Sequence, residues 1–477
     1  MKHRTGLERS QTLLFPETLE DYVAAENPVR FLDAFVGSLD LHALGFAKAR
    51  CAHTGAPPYD PAALLKLYLY GYLHRLRSSR LLEGECQRNV EVIWLVRKLA
   101  PDFKTIADFR KDNLQPLRAV SRQFTLLCRQ LDLFGGQLLA IDGSKFRAVN
   151  SRDQNFNASK LEELLAQTDA RLAEYFQTLD AADAAEPAAE PLAAATLQQK
   201  IAALQDKRAW HAELLAQLDD EQKQISVTDP DTRRMHTAQG NIVGYNAQLA
   251  VDARHKLIAA AEVTSDGTDA RQLAHLALAA KTNLDAQQIE VLADRGYSNA
   301  AEVSHCADHG ITALIPKTDT SANTKQGLYG KSQFRYDPQK EVYICPAGEE
   351  LTWRFRTVEL GRGLSYYRAR GCKDCALKKR CTRNQANRTI TREDNEAVME
   401  AMAERMKREP GKYALRKQLV EHPFGTIKRA MGYTHFLLKG LEKVRTEWSL
   451  ITLAYNLKRV LNLVRFEKLM SAVTGPG

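Results

Sequence analysis

The sequence predicts an α/β protein: a mixed β-sheet unit, preceded by a helical region and interrupted by two inserts. Three observations carry this expectation. Two apolar stretches, Leu138-Leu139-Ala140-Ile141 and Ile289-Glu290-Val291-Leu292-Ala293, read as strands buried on both faces. Each ends in an aspartate followed by a glycine turn, Asp142-Gly143-Ser144 in the first and Asp294-Arg295-Gly296 in the second. Between and beyond them, three strand-like runs in succession give way to alternating helical and strand patterns, as in a mixed sheet. At 477 residues the chain exceeds a single core, and three or so folded units are expected.

Composition narrows the class. Hydrophobic content of 44% and charged content of 26% are those of an ordinary globular protein. The longest apolar run, residues 64–73, is broken by Lys66 and is too short to span a membrane. The first ten residues, MKHRTGLERS, lack a signal-peptide core, so a cytoplasmic, reducing location is expected. Eight cysteines there are poor candidates for disulfides, and clustering among them reads as metal binding.

Residues 1–134 read as a helical N-terminal domain, with apolar periodicity over 61–73 and again over 106–133. Between these stretches Arg75, Arg77, Arg80 and the Ser78-Ser79 pair interrupt the pattern as a helix–turn–helix connection would. Two readings stay open: a bundle whose arginines are solvated, or a module that sets DNA-end phosphates against Arg77 and Arg80. The catalytic unit is expected over 135–316 and 396–470. Its first insert, 158–225, has leucines at helical spacing around an alanine-rich centre with Pro187 and Pro191, and predicts an antiparallel helical hairpin or coiled-coil arm. The sheet then resumes with 244–252 and 257–263, joined by a turn at 253–256. A helix over 269–283, the Asp294 strand, a helix from about Asn299 and a strand over 311–316 complete it.

The second insert, 317–395, gathers Cys345, Cys372, Cys375 and Cys381 at C-x26-C-x2-C-x5-C spacing. This suits tetrahedral thiolate coordination of Zn²⁺, although the usual second CxxC is lacking; reduced, unligated cysteines are the alternative. Cys51, Cys86, Cys128 and Cys306 stand alone and read as core residues.

Charge is uneven. The formal net charge is +9, but residues 412–468 hold 12 Lys/Arg against 4 Asp/Glu, and residues 158–225 hold 13 Asp/Glu against 6 Lys/Arg. A polyanion should therefore meet the C-terminal segment. Within it lies Glu421, and on an ideal helix Lys417 and Lys428 fall within about 40° of it. Pro423 then requires either a kink or a helix that begins there. Two strand-end aspartates and a glutamate amid basic residues are what two-metal phosphoryl transfer on DNA requires.

These blocks carry a family resemblance. Ala140-Ile141-Asp142-Gly143-Ser144-Lys145, then Ala293-Asp294-Arg295-Gly296-Tyr297, then Glu421-His422-Pro423-Phe424-Gly425-Thr426-Ile427-Lys428 resemble the bacterial DDE insertion-sequence transposases. Leu69-Tyr70-Gly71-Tyr72 with Arg77-Ser78-Ser79-Arg80 resembles the InsH-type N-terminal domain found in many of them. The resemblance implies an RNase H-like catalytic fold, Asp142, Asp294 and Glu421 as a triad for two Mg²⁺ ions (Mn²⁺ as substitute), and action on terminal inverted repeats and target DNA. It implies double-stranded DNA as partner, nucleoid association when bound, a homodimer on DNA and no membrane. Many relatives read Y-x2-R-x3-E-x6-K. Here Tyr413 and Arg416 precede Glu421 with one extra residue, so Lys417 fills the expected Arg slot, while the spacing to Lys428 fits. Lys428, Lys417 and Arg429, with Tyr413 and Arg416, are the expected DNA contacts. An RNase H-like nuclease without strand transfer, and a catalytically inactive DNA-binding relative, are the alternatives.

Overall fold

The computed structural model describes residues 18–51, 57–184, 191–219, 223–317, 322–359 and 361–475. The N-terminal region is helical, as the periodicity predicts: α1 (Pro28–Gly37), α2 (Pro61–Leu73), α3 (Ser79–Arg88), α4 (Val90–Leu95), α5 (Phe103–Asp112) and α6 (Leu114–Gln130). α1 and α2 start in the same way. Asn27 and Asp60 accept an N–H of the first turn, and a proline with no N–H to satisfy follows at the first helical position. α2 is apolar all round, with Leu65, Leu67, Tyr68 and Tyr72 buried, so it runs through the interior and not along the surface.

The chain then enters β1 (Leu138–Arg147), followed by the two-residue β2 (Asn155–Phe156), the long helices α7 (Ala158–Ala184) and α8 (Pro191–Ala216), and the two-residue β3 (Ile225–Ser226). α7 and α8 pack on each other, and pairing of β2 with β3 closes their base over Phe156, Leu161, Leu214 and Ile225. Pro191 opens α8. Pro187, with the alanine-rich centre around it, lies outside the described residues.

β4 (Arg233–Thr237), β5 (Gly240–Asp252), β6 (Ile258–Thr264), α9 (Leu273–Leu284), β7 (Ile289–Leu292), α10 (Ala300–Asp308) and β8 (Ile311–Leu314) complete the main sheet. Its order is β6-β5-β1-β7-β8, with β4 continuing the β6 side of the thirteen-residue β5. β5 is antiparallel to β1 and β6, whereas β1, β7 and β8 are mutually parallel. The C-terminal ends of three parallel strands therefore share one edge.

Two expectations about this sheet need correction. β1 does not end at Asp142. It pairs with β5 through Gly143↔Gln248, Ser144↔Ala247 and on to Arg147↔Gly244, so the presumed turn is strand. Gly143 is required by crowding and not by turning, because a Cβ there would lie 2.3 Å from Gln248 Nε2 and 2.7 Å from Asp269 Oδ1. The helix expected from Asp269 begins at Leu273, which leaves Asp269 in the preceding loop.

After β8 come α11 (Ala322–Lys325) and a second sheet of β9 (Arg335–Asp337), β10 (Val342–Ile344), β11 (Glu350–Glu359), β12 (Arg362–Arg368) and, after the short α12 (Lys378–Cys381), β13 (Thr389–Glu393). It has its own small core of Phe334, Tyr343, Leu351, Tyr367 and Ile390. The chain closes with α13 (Glu396–Arg408), α14 (Pro410–Gly425), α15 (Leu441–Leu463) and α16 (Phe466–Thr474). α15 is the axle of the molecule: it packs against α2, α6 and β6, burying Val444, Trp448, Ile451 and Leu457. One continuous core runs from Val23 to Leu469, so the N-terminal helices share their interior with the main sheet. Among the described residues no helix is long and apolar enough to cross a membrane.

Candidate active site

The parallel register builds the site. β1 pairs with β7 as Leu138↔Glu290, Leu139↔Val291 and Ala140↔Leu292. Two residues onward on both segments stand Asp142 and Asp294, which brings the two acids together at the shared edge. Asp142 remains within β1. Its carboxylate is 25% exposed, accepts the Gly143 N–H at 2.9 Å and pairs with Arg416 Nη1 at 3.2 Å. Asp294 has left β7 and caps the short 3₁₀ turn Arg295–Tyr297 by accepting the Gly296 N–H at 2.8 Å.

Electrostatics bind the two into one unit. Burial pushes the Asp142 carboxyl up to about 6, against the pull of Arg416 and the Gly143 N–H, and the negative charges of Asp294 and Asp269 add to the rise. Mutually repelling carboxylates on a partly desolvated edge are a place where added positive charge is favourable.

Asp269 was missed from the sequence. Its Oδ1 accepts from Asn246 Nδ2 and Gln248 Nε2, both at 2.7 Å, and from Lys145 Nζ at 3.2 Å. Gln248 also accepts the hydroxyl of fully buried Tyr297, whose acidity is suppressed by burial and then by Asp269, Asp142 and Asp294. A signal was present: Asn246 and Gln248 lie inside an apolar strand, and buried amides need polar partners.

Glu421 does not join the two aspartates. α14 faces the sheet with Arg416, Leu419 and Val420, and Glu421 follows Val420 by 100° around the helix. Its side chain is 64% exposed, with Lys417 at 3.7 Å as an i,i+4 partner on the surface. Among the described residues no group of three or more His, Cys, Asp or Glu is set to hold a metal ion, so the expected triad is not assembled. The helix neither starts at Pro423 nor stops there. It begins at Pro410, runs through Pro423, and passes into a π-helical turn, Thr426–Ala430, in which the Met431 N–H reaches back five residues to the Thr426 carbonyl at 2.8 Å.

That wide turn shifts the helical phase, and the expected Glu421–Lys428 face is lost. Lys428 points inward: its Nζ donates to Ser144 Oγ at 2.6 Å and to the Lys145 carbonyl at 3.2 Å, and lies 4.4 Å from the Phe146 ring centre. Burial lowers its basicity. Lys417 and Arg429 are exposed. Tyr413 and Arg416, displaced by one position from the family spacing, are the ones that stand at the carboxylates. Burial raises the Tyr413 hydroxyl, Arg416 opposes that rise and Asp294 adds to it.

Two further expectations are corrected. Arg77 is buried. Its Nη1 donates to the His435 carbonyl at 2.8 Å and to Glu447 Oε1 at 3.2 Å, and its guanidinium lies over Tyr433, so it ties the N-terminal helices to α15 and is not offered to DNA. Arg80 is exposed and lies 4.6 Å over the Phe103 ring. Cys345, Cys372, Cys375 and Cys381 do line one pocket, but they pack as half-buried thiols. Burial raises Cys381, Cys372 Sγ accepts the Arg388 N–H at 3.4 Å, and no closed thiolate cage is formed among the described residues. Cys86, Cys128 and Cys306 are core residues as expected, whereas Cys51 is exposed.

Comparison with known proteins agrees with the resemblance. Residues 344–461 match the family described as Transposase DDE domain, and residues 17–112 match Transposase domain (DUF772). The first match takes in Arg416, Glu421 and Lys428 but stops short of Asp142 and Asp294. No curated protein matches the chain, and no solved structure does. With one transposase domain matched ahead of the main sheet and a DDE transposase domain matched over the second sheet and the closing helices, the two matches support an insertion-sequence DDE transposase, a family of nucleic-acid phosphoryl-transfer enzymes.

Proposed function

We propose that this chain binds the terminal inverted repeats of its insertion sequence and carries out divalent-metal-dependent strand cleavage and strand transfer, cut-and-paste fashion, at Asp142 and Asp294. The observation that carries this reading is the register of β1 on β7, which sets Asp142 within β1 beside Asp294 just past the end of β7. An RNase H-like assignment is supported by the strand order, three antiparallel strands followed by two parallel ones with helices in the crossovers.

The residues at hand fit a cation in part. Asp142 and Asp294 offer hard oxygen donors at one edge, and the repulsion between them, with Asp269 nearby, would be relieved by a dication. Glu421 lies outside that set. Mg²⁺, or Mn²⁺ in its place, supplies a lowered pKa for the attacking water or 3′-hydroxyl and charge stabilisation for the leaving oxygen. Arg416 provides a positive charge beside Asp142, Tyr413 stands near Arg416 and Asp294, and Lys428 meets Ser144, two residues beyond Asp142 on β1. Two copies of the chain, one on each element end, would bring the ends together.

Exposure of Glu421 on the surface of α14 favours one rival, a DNA-binding relative without catalysis. Incubating the full-length protein with a labelled duplex of the element's own end, target DNA and Mg²⁺ separates the readings. Cleaved ends joined to target, lost in Asp142→Asn and Asp294→Asn, support transposition. Cleavage without joining makes it a nuclease, and end binding without cleavage makes it an inactive relative.

A further inference from the structure

The second sheet carries a charge pattern that the proposed chemistry does not use. Residues 362–392 hold ten Lys/Arg against one acid, Asp374. Four of these cations are satisfied internally. Lys378 donates to the Gln385 carbonyl at 3.1 Å. Arg362 pairs with Glu393, Arg392 pairs with Glu400 at 2.7 Å, and buried Arg388 donates to the carbonyls of Cys381 and Tyr329. The others lie along one continuous segment, the end of β12, the Cys372–Cys375 loop and α12. Arg368, Arg370, Lys373, Lys379, Arg380 and Arg383 are all exposed, and among the described residues none of them is in an ion pair. Such a segment repels itself and is stabilised by a polyanion.

Its placement directs that polyanion. The module leaves the main sheet just after β8, which is parallel to β7 with Leu292↔Leu314 in register, so its root is at the edge where Asp142 and Asp294 stand. The root is bolted down: Glu396, on α13, pairs with Lys317 at 2.7 Å and with Lys331 at 2.6 Å, and α13 packs on β8 and α10. A rigid attachment would hold the cationic segment at a fixed bearing from the carboxylates.

We infer that this Cys-bearing module is a phosphate-docking surface for duplex DNA, with Lys373, Lys379 and Arg383 among its contacts, seating DNA that runs to the Asp142–Asp294 edge. The inference rests on the transposase reading for the choice of DNA as the polyanion. It shifts backbone contact away from the C-terminal helices, where the basic segment was expected to serve.

The test is salt-dependent binding of a random-sequence duplex to the full-length protein. Each phosphate contact contributes a slope of about −0.9 in log K against log salt, so the triple variant Lys373→Ala, Lys379→Ala, Arg383→Ala should flatten the slope by roughly 2 to 3. Affinity near 0.1 M salt should fall on the order of 100-fold. The charge-keeping set Lys373→Arg, Lys379→Arg, Arg383→Lys should retain parental slope and affinity, and Lys379→Glu alone should weaken binding. Parental binding with an unchanged slope in the alanine variant overturns the inference and leaves the transposase reading standing. A parent that binds no duplex at low salt overturns both. Preference of the parent for poly(U) over a duplex of equal charge overturns the assignment to duplex DNA.

Discussion

Residues 412–468 and residues 362–392 are the two strongly basic stretches of the chain, and their cations meet different partners. In the first, Arg416 pairs with Asp142, Lys412 with Glu290 and Glu409, Lys417 with Glu421, and Arg445 with Glu262 and Glu442, while Lys428 turns inward onto β1. In the second, six of the ten cations are exposed along the end of β12, α12 and the loops beside it, and none of the six is in an ion pair among the described residues. A count of charges along the sequence gives both stretches nearly the same excess, yet at the sheet edge Lys412 and Arg416 are taken up by Glu290 and Asp142, whereas Lys373, Lys379 and Arg383 are in no ion pair among the described residues. The lesson is that a basic helix packed on an acidic sheet edge neutralises its own protein, whereas a basic loop on an outlying sheet remains available to a ligand.

If that contrast is right, removing a cation of the inward kind costs stability and removing one of the outward kind does not. The largest effect is expected at the buried pair that anchors α15. Arg77→Ala leaves Glu447 buried with only the Leu437 and Leu438 N–H groups and the charge of Arg110 to support it, and should destabilise the protein by about 3–5 kcal/mol. Chemical denaturation of parent and variant measures this; a loss under 1 kcal/mol would mean that Arg77 is not part of the internal set.

The next effect has the opposite sign and depends on pH. The Asp142 carboxyl sits at about 6 in the folded chain against an ordinary value of 3.8, so the folded state holds its proton more tightly. Ionising it costs stability that grows as pH rises from about 4 to about 6 and is constant above. In metal-free buffer Asp142→Asn should therefore be more stable than the parent at pH 7.5 by up to about 3 kcal/mol, and the gap should close near pH 4. Melting curves at the two pH values check it. An equal or lower midpoint for the variant at pH 7.5 would show that Arg416 outweighs the burial.

The smallest stability effect is expected on the outlying sheet. Lys379→Ala and Arg383→Ala should each change stability by less than about 0.5 kcal/mol, because neither side chain packs or pairs. A larger loss in either would place that residue in the inward class.

Much of this arrangement was legible in the sequence, for reasons specific to each element. β7 and β8 are short apolar runs, and doubly buried parallel strands leave that imprint. The helices of the N-terminal region were legible over 61–73 and 106–133 through their apolar periodicity. β1 was cut short because Asp142-Gly143-Ser144 has the composition of a turn, and only the crowding beneath Gly143 explains a glycine in mid-strand. Asp269 lies in a polar loop whose local sequence resembles any other, and its role comes from Asn246 and Gln248 on β5, the neighbour of the strand it follows. The facing of Glu421 could not be read from ideal helical angles, since the π-helical turn and the packing of Val420 set the phase of α14. Arg77 misled for the plainest reason: its partner Glu447 is 370 residues away in the chain.

The account stands on Asp142 and Asp294 acting as one cation-binding pair. Mn²⁺ titration of the full-length protein followed by electron paramagnetic resonance tests this without relying on turnover. The parent should bind Mn²⁺ at a site that Asp142→Asn and Asp294→Asn each lose, with duplex DNA affinity retained in both variants. Mn²⁺ bound equally by all three proteins would contradict the account and detach the metal from Asp142 on β1 and Asp294 just beyond β7.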